Sequence, residues 1–109
     1  MQFHYYVYII ECSDGTFYTG VSNNYERRYK EHCEGINPGC YTYDRRPLRL
    51  RHVEWYHDIT QAIAREKQLK GWGKKKKEAL IAGDFKTLSF EALGYERRVF
   101  PPLNRDQRT

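Results

Sequence analysis

Residues 9–20 read IIECSDGTFYTG: an apolar run, a turn, and an aromatic run that ends in Tyr18 and Gly20. Another tyrosine, Tyr8, stands just upstream in YVY (6–8). Side chains alternate across a strand, so the length of the turn decides which phenols share a face. If Asp14-Gly15 forms a two-residue loop, Glu11 sits opposite Tyr18 and Tyr8 opposite Val21, which puts the two phenols on opposite faces. If the turn runs through Ser13-Asp14 with Gly15 left-handed as a bulge, Cys12 pairs with Thr16, Ile10 with Tyr18 and Tyr8 with Gly20. Both phenols then share a face, and Gly20 leaves open space opposite Tyr8. Turn chemistry permits either register. In the plainer case both tyrosines are ordinary sheet aromatics.

The rest of the chain supplies what such a hairpin packs against. HYYVYIIEC (4–12) and TFYTGVS (16–22) are rich in aromatic and β-branched residues and read as strands. SNNYERRYKEHCEG (22–35) reads as a helix, with Asn23 as cap, Glu26 completing a capping box and Gly35 ending it. INPGCYTYDRRP (36–47) is a loop punctuated by Pro and Gly, and LRLRHVEWYH (48–57) a third strand. DITQAIAREKQLKGW (58–72) is a second helix capped by Asp58 or Thr60, and KKKKEALIAG (74–83) a shorter third. The order β-β-α-β-α-α predicts an α+β fold, a small three-stranded antiparallel sheet flanked by helices.

The chain has 109 residues, enough for one domain with one modest core. Its formal charge of +5 and its ten tyrosines suit a polyanionic partner and a working surface of amphipathic rings. The three cysteines, Cys12, Cys33 and Cys40, show no CxxC spacing. Cys12 and Cys33 read as small packing residues in a reduced setting. No run approaches a membrane span, and no charged-then-apolar leader is visible, so the expectation is a soluble, cytoplasmic protein without a membrane partner.

Two features resist a purely structural reading. In the second helix Ala62, Ile63, Leu69 and Trp72 form the expected apolar stripe, and Glu66 stands inside it. A carboxylate there must be paired, bound to a cation or placed at the rim of a cavity. An ion pair with Lys70 is the plainer alternative. In the first helix Arg28 and His32 are four apart and share a face, while Arg27 lies on a neighbouring face with Glu31.

Taken together these residues resemble the GIY-YIG nuclease superfamily, specifically its small, single-domain, stand-alone (UPF0213-like) branch. YVY (6–8) stands where that family has its first signature and YTG (18–20) where it has its second. NNYERRYKEH (23–32) resembles the following helix and places Arg28 on the catalytic arginine and His32 on a frequent companion histidine. AIAREKQLKGW (62–72) resembles the helix that supplies the metal-binding acid, which falls on Glu66, and RRPLRL (45–50) is also similar. The sequence departs from the family in having Tyr6 for a glycine, and no asparagine in GKKKKEALIAG (73–83). The resemblance covers about residues 4–83 and implies a nuclease domain, placed over 1–94, while YERRVFPPLNRDQRT (95–109) reads from its own composition as a basic tail. The resemblance also implies a metal-dependent endonuclease acting on DNA more than RNA, structure-selective or nonspecific, in repair or processing.

In that reading Glu66 holds Mg²⁺ or Mn²⁺, Arg28 offers a fork to the scissile phosphate, and Tyr8 is the base for water with Tyr18 orienting it. His32 touches the phosphate or supports the others by hydrogen bonding. A free phenol has a pKa near ~10, so Tyr8 either has a cation beside it and acts as phenolate, or passes its proton on through water without resting as phenolate; the sequence leaves both open. Lys74, Lys75, Lys76 and Lys77 crowd the positive end of a helix, where cations are unfavourable unless they have a use. With Arg27, Lys70 and Trp72 they form the expected nucleic-acid surface, with the Trp72 ring stacking on a base. Two rivals stay open: a binding module without hydrolysis, which the missing asparagine favours, and a protein-docking face built from the tyrosines.

Overall fold

The hairpin adopts the longer of its two permitted turns. In a computed structural model, which describes residues 4–83, β1 (Tyr5–Glu11) and β2 (Phe17–Ser22) are joined through Gly15 at φ 85. Cys12 N–H donates to the Thr16 carbonyl at 2.8 Å, and Gly15 N–H to the Cys12 carbonyl at 3.0 Å. Asp14 closes the tip by accepting from Thr16 N–H at 3.1 Å and from the Thr16 hydroxyl at 2.6 Å. A positive φ is inexpensive only for glycine, so Gly15 makes this turn possible, and the Cys12–Thr16 bond marks its register. That register pairs Tyr8 with Gly20 and Ile10 with Tyr18. A Cβ on Gly20 would lie 2.5 Å from the Tyr8 hydroxyl oxygen, so the Tyr8 ring occupies the space that Gly20 leaves.

The third strand, β3 (Arg49–Tyr56), pairs antiparallel with the other side of β1, giving the order β2-β1-β3. Ile9 pairs with His52 and Ile10 with Leu50, so Arg51 is a bulge. Regular alternation would put Leu50 and His52 on one face. The bulge instead keeps Leu50 and Val53 together and turns His52, Glu54 and Tyr56 to the other side.

Each face then acquires its helices. On one side Val7, Ile9 and Tyr56 pack with Ala62 and Leu69 of α2 (Ile59–Lys70) and Leu80 of α3 (Lys74–Ala82). On the other, Tyr8, Ile10, Cys12, Leu48 and Val53 pack with Tyr25, Tyr29 and Cys33 of α1 (Tyr25–Glu34). The sequence reading needs two local corrections. The α1 cap is Asn24, whose side chain accepts from Arg27 N–H at 3.0 Å, so no capping box forms with Glu26. Ile63 leaves the apolar stripe and is 38% exposed, because the face that meets the sheet runs through Ala62, Arg65 and Leu69. The expectations for residues 84–94 and for a tail over 95–109 lie outside the described residues. Among the described residues no helix is long and apolar enough to cross a membrane.

Arg65 is buried because it meets Glu54, a pair that no local pattern announced. Glu54 accepts from Arg65 Nε at 2.8 Å and Nη2 at 2.9 Å, from the Tyr56 hydroxyl at 2.7 Å, and pairs with His52 Nε2 at 2.9 Å. Burial alone would push its carboxyl up, but the hydrogen bonds from His52 and Arg65 outweigh burial and hold it at about 2. Breaking such a pair from one side strands the other charge.

Two outcomes follow from this packing. Gly20→Ala drives a methyl into the Tyr8 hydroxyl, and urea unfolding is expected to show a loss of about 1–3 kcal/mol. Glu54→Gln is expected to lose about 3–5 kcal/mol at neutral pH by leaving Arg65 unpaired. A depressed folded pKa stabilises above the unfolded value and is lost as pH falls through the folded one. Wild-type stability should therefore decline below about pH 4.5 towards pH 2, and Glu54→Gln should lack that slope in an acid titration followed by circular dichroism.

Candidate active site

The register of this hairpin aims both phenols at α1. The Tyr8 and Tyr18 rings lie 6.4 Å apart between centroids, and His32 is 6.2 Å from the first and 5.0 Å from the second. His32 reaches this side because it lies two turns into α1, whose Gly35 cap at φ 67 turns the chain into the loop that follows. The Tyr8 hydroxyl lies 3.4 Å from His32 Nε2, and His32 Nδ1 lies 2.8 Å from the Thr42 hydroxyl oxygen. Thr42 in turn donates to Cys40 Sγ at 3.5 Å. In the tautomer that carries its proton on Nδ1 and donates it to Thr42, His32 Nε2 presents a lone pair to Tyr8.

Arg28 joins the group one turn before His32. Its Nη1 is held by Glu31 Oε1 at 2.6 Å, which raises the guanidinium pKa further and fixes one end of the fork. Glu31 also takes Arg27 Nη1 at 3.2 Å, so Arg27 sits on the exposed flank. A small cavity of about 40 Å³ opens beside Arg28, His32, Cys40 and Thr42, with room for about one or two waters.

Glu66 arrives from the opposite layer. β2 is an edge strand and α2 lies across it, so the rim of α2 can reach around that edge. The Glu66 side chain is 16% exposed and pairs with Lys70 Nζ at 3.1 Å, the ion pair foreseen as its plainer explanation. Both charges are felt at Tyr18, where burial raises the phenol pKa, Lys70 lowers it and Glu66 raises it. Glu66 is thus within electrostatic range of Tyr18, and its one direct polar contact among the described residues is Lys70. Among the described residues no group of three or more His, Cys, Asp and Glu side chains could hold a metal ion. A cation at Glu66 would have one carboxylate and water for ligands, a set that suits a hard ion such as Mg²⁺. The Lys70 ammonium shows that positive charge can reach that carboxylate.

Of the two roles open to Tyr8, the resting phenolate is the one its surroundings disfavour: burial and the neighbouring Tyr18 push its pKa up to about 12, with Arg28 pulling back only in part. Ionised Tyr8 at neutral pH is then on the order of one in 10⁵. His32 is displaced downward, first by burial and then by Arg28, so it is neutral at pH 7.

The loop after α1 contributes residues that the sequence reading passed over. Tyr41 stacks on Tyr18 at 6.2 Å with 20° between the planes, and Arg45 lies 3.8 Å over the Tyr41 ring. Arg45 also donates to Asp14 Oδ2 at 3.2 Å and to the Tyr41 carbonyl at 2.7 Å, tying the loop to the hairpin tip. Pro and Gly marked this stretch as a loop, and nothing local marked Thr42 as buried. On the other side of the molecule Trp72 packs against the core with Arg65 and Lys76 over its ring, at 5.3 and 4.7 Å. Lys75 is exposed, and Lys74 and Lys77 turn towards the hairpin tip.

Residues 4–79 match the family model described as the GIY-YIG catalytic domain. The chain is similar to a UPF0213 protein of Halobacterium salinarum, 43% identical over 77 residues that cover 71% of this chain and 99% of that protein. A UPF0213 protein of Syntrophus aciditrophicus is 43% identical over 76 residues, covering 70% of this chain and 87% of the other. A solution NMR structure of a protein from E. faecalis has 28% sequence identity and a TM-score of 0.53, covering 82% of this chain and 96% of that one. The tyrosine pair, the arginine and the acid thus lie within a matched stretch that takes in every strand and nearly all of the helices, and the chain belongs to the GIY-YIG domain family, in its UPF0213 branch.

Proposed function

We propose that this protein hydrolyses phosphodiester bonds in nucleic acid, DNA before RNA, as a nuclease without sharp sequence preference. The observation that carries this reading is the convergence of Tyr8, Tyr18, Arg28 and His32 on one sheet face, and Glu66, whose charge is felt at Tyr18, is the acid proposed to join them. Phosphoryl transfer needs charge on the phosphoryl oxygens and a route for the proton of the attacking water.

Arg28, steadied by Glu31, offers its guanidinium fork to the non-bridging oxygens. Tyr8 is too weak an acid to rest as phenolate, so its hydroxyl works as a relay. The phenol oxygen takes a proton from water as its own proton passes to His32 Nε2, in the tautomer whose Nδ1–H donates to Thr42. Tyr18, clasped between Tyr8 and Tyr41, holds the ring geometry and keeps water out of the back of the site. Mg²⁺ or Mn²⁺ at Glu66, with water as its other ligands, would lend positive charge to the phosphate.

A non-catalytic binding module on the same scaffold is the second reading. The Lys70–Glu66 pair and the high Tyr8 pKa favour it.

Incubation with labelled single-stranded, duplex and branched DNA, and with RNA, in Mg²⁺, Mn²⁺ or chelator, separates the two. The nuclease reading expects metal-dependent cleavage that falls at least ~10²-fold in both Glu66→Gln and Arg28→Ala. Tyr8→Phe should lose ~10²–10⁴-fold. Binding without cleavage under every condition would leave only the module. His32 accepts a proton only when neutral and its pKa lies below the usual histidine value. The cleavage rate should therefore hold from pH 8 down to about 6.5 and decline only below that, with the acid limb gone in His32→Asn.

A further inference from the structure

The proposed chemistry uses one phosphate, but the chain has a second place fitted to hold one. A cavity of about 220 Å³ opens between the hairpin tip and the start of α3, lined by Asp14, Gly15, Thr16, Phe17, Lys74 and Lys77. Its charge is one-sided. The Asp14 carboxylate is already engaged by Thr16 and by Arg45 at 3.2 Å. Among the described residues neither Lys74 nor Lys77 makes an ion pair or hydrogen bond.

Both lysines line this space, Lys74 from an exposed position and Lys77 from a half-buried one. Lys74 Nζ lies 3.3 Å from the position a Cβ on Gly15 would take, so the ammonium leans over the hairpin tip through the room that glycine leaves. Lys77 is half-buried, and burial together with the nearby Lys70 lowers its pKa. Two cations thus face one concave space in which, among the described residues, the single carboxylate is Asp14, already engaged by Thr16 and Arg45, an arrangement that an added anion stabilises. Lys76 differs, lying over the Trp72 ring, and Lys75 is exposed. The helix therefore sorts its four lysines, sending two into the cavity.

The cavity also has a position. Phe17 in its wall precedes Tyr18 on β2, and Lys70, which presses on Lys77, is the partner of Glu66. The space therefore lies at the same β2 edge as the candidate active site, displaced towards the hairpin tip and on the α2–α3 face, because Phe17 packs with that core while Tyr18 packs with the other. We propose that this cavity is a phosphate-binding subsite that holds one phosphate group of a nucleic-acid strand beside the phosphate being cleaved. The proposal rests on the nucleic-acid reading above for the carrier of that phosphate but not on hydrolysis. The phosphate is either an internal diester or a strand-terminal monoester, and both present the same tetrahedral oxyanion to the lysines.

The test uses the full chain with Glu66→Gln, ¹⁵N-labelled, so that binding is read without cleavage. It is titrated with inorganic phosphate, then with a short single-stranded oligonucleotide carrying a 5′-phosphate, a 3′-phosphate or neither. Amide shifts centred on Gly15, Thr16 and Phe17 are expected with each phosphate source. Lys77→Gln and Lys74→Gln should each weaken oligonucleotide binding about tenfold and reduce the salt slope by about one, while Lys75→Gln changes affinity by less than about twofold. Tighter binding of one phosphorylated end assigns the cavity to a strand terminus; equal binding assigns it to an internal phosphate. Shifts that spare residues 15–17, or equal losses from Lys75→Gln and Lys77→Gln, overturn the subsite. Focused shifts in a protein that cuts nothing uphold the subsite and refute only the nuclease reading. Cleavage by wild-type protein with no shift at residues 15–17 does the reverse.

Discussion

The contact on which the rest depends is the Tyr8 ring lying across Gly20. It needs a strand pairing that only the longer hairpin provides, and that pairing needs Gly15 at φ 85. A one-residue slip would send Tyr8 and Tyr18 to opposite faces of the sheet. His32 and Arg28 on α1 would then meet one phenol at most. A turn of a few residues thus governs the chemistry of a site assembled from three parts of the chain.

Two glutamates of α2's neighbourhood show how placement decides role. Glu54, at the sheet centre, is saturated by Arg65, His52 and Tyr56 and held at about 2. Its hydrogen-bonding capacity is spent on the protein, so it joins β3 to α2 and does nothing else. Glu66, at the edge, has one lysine as partner and a side chain that water can reach. A single mobile ammonium is readily exchanged for another cation, which a bidentate buried guanidinium is not. The same contrast separates Arg65 from Arg28, the first locked inside the core and the second held by one nitrogen with its fork half open.

The tyrosine pair illustrates the tension between folding and reactivity. Packing Tyr8 against Gly20 buries it, and burial makes its phenolate expensive. The neighbouring His32, depressed by the same burial, sits with Nε2 3.4 Å from the phenol, where its Nδ1–H tautomer can accept the proton. One environment therefore weakens the acid and frees a base beside it. A shared proton path suits this arrangement better than a resting phenolate, and it gives Thr42 and Cys40 a part in orienting the imidazole.

Much of the architecture was readable in the chain itself. The strands, the three helices and Gly35 as a helix end all follow from patterns within a few residues, where propensity, capping and turn chemistry act, whereas grouping Tyr8, Tyr18, Arg28, His32 and Glu66 rested on the family resemblance. Both hairpin registers satisfied those local rules, so choosing between them fell to the packing of Tyr8, α1 and β3. The burial of Arg65 against Glu54, the Arg51 bulge, the upward course of the Tyr8 pKa and the sorting of Lys74 and Lys77 from their neighbours were likewise decided in three dimensions. Local sequence specifies which way a backbone turns. Desolvation and charge pairing depend on residues dozens of positions apart, and those meet only once the sheet has formed.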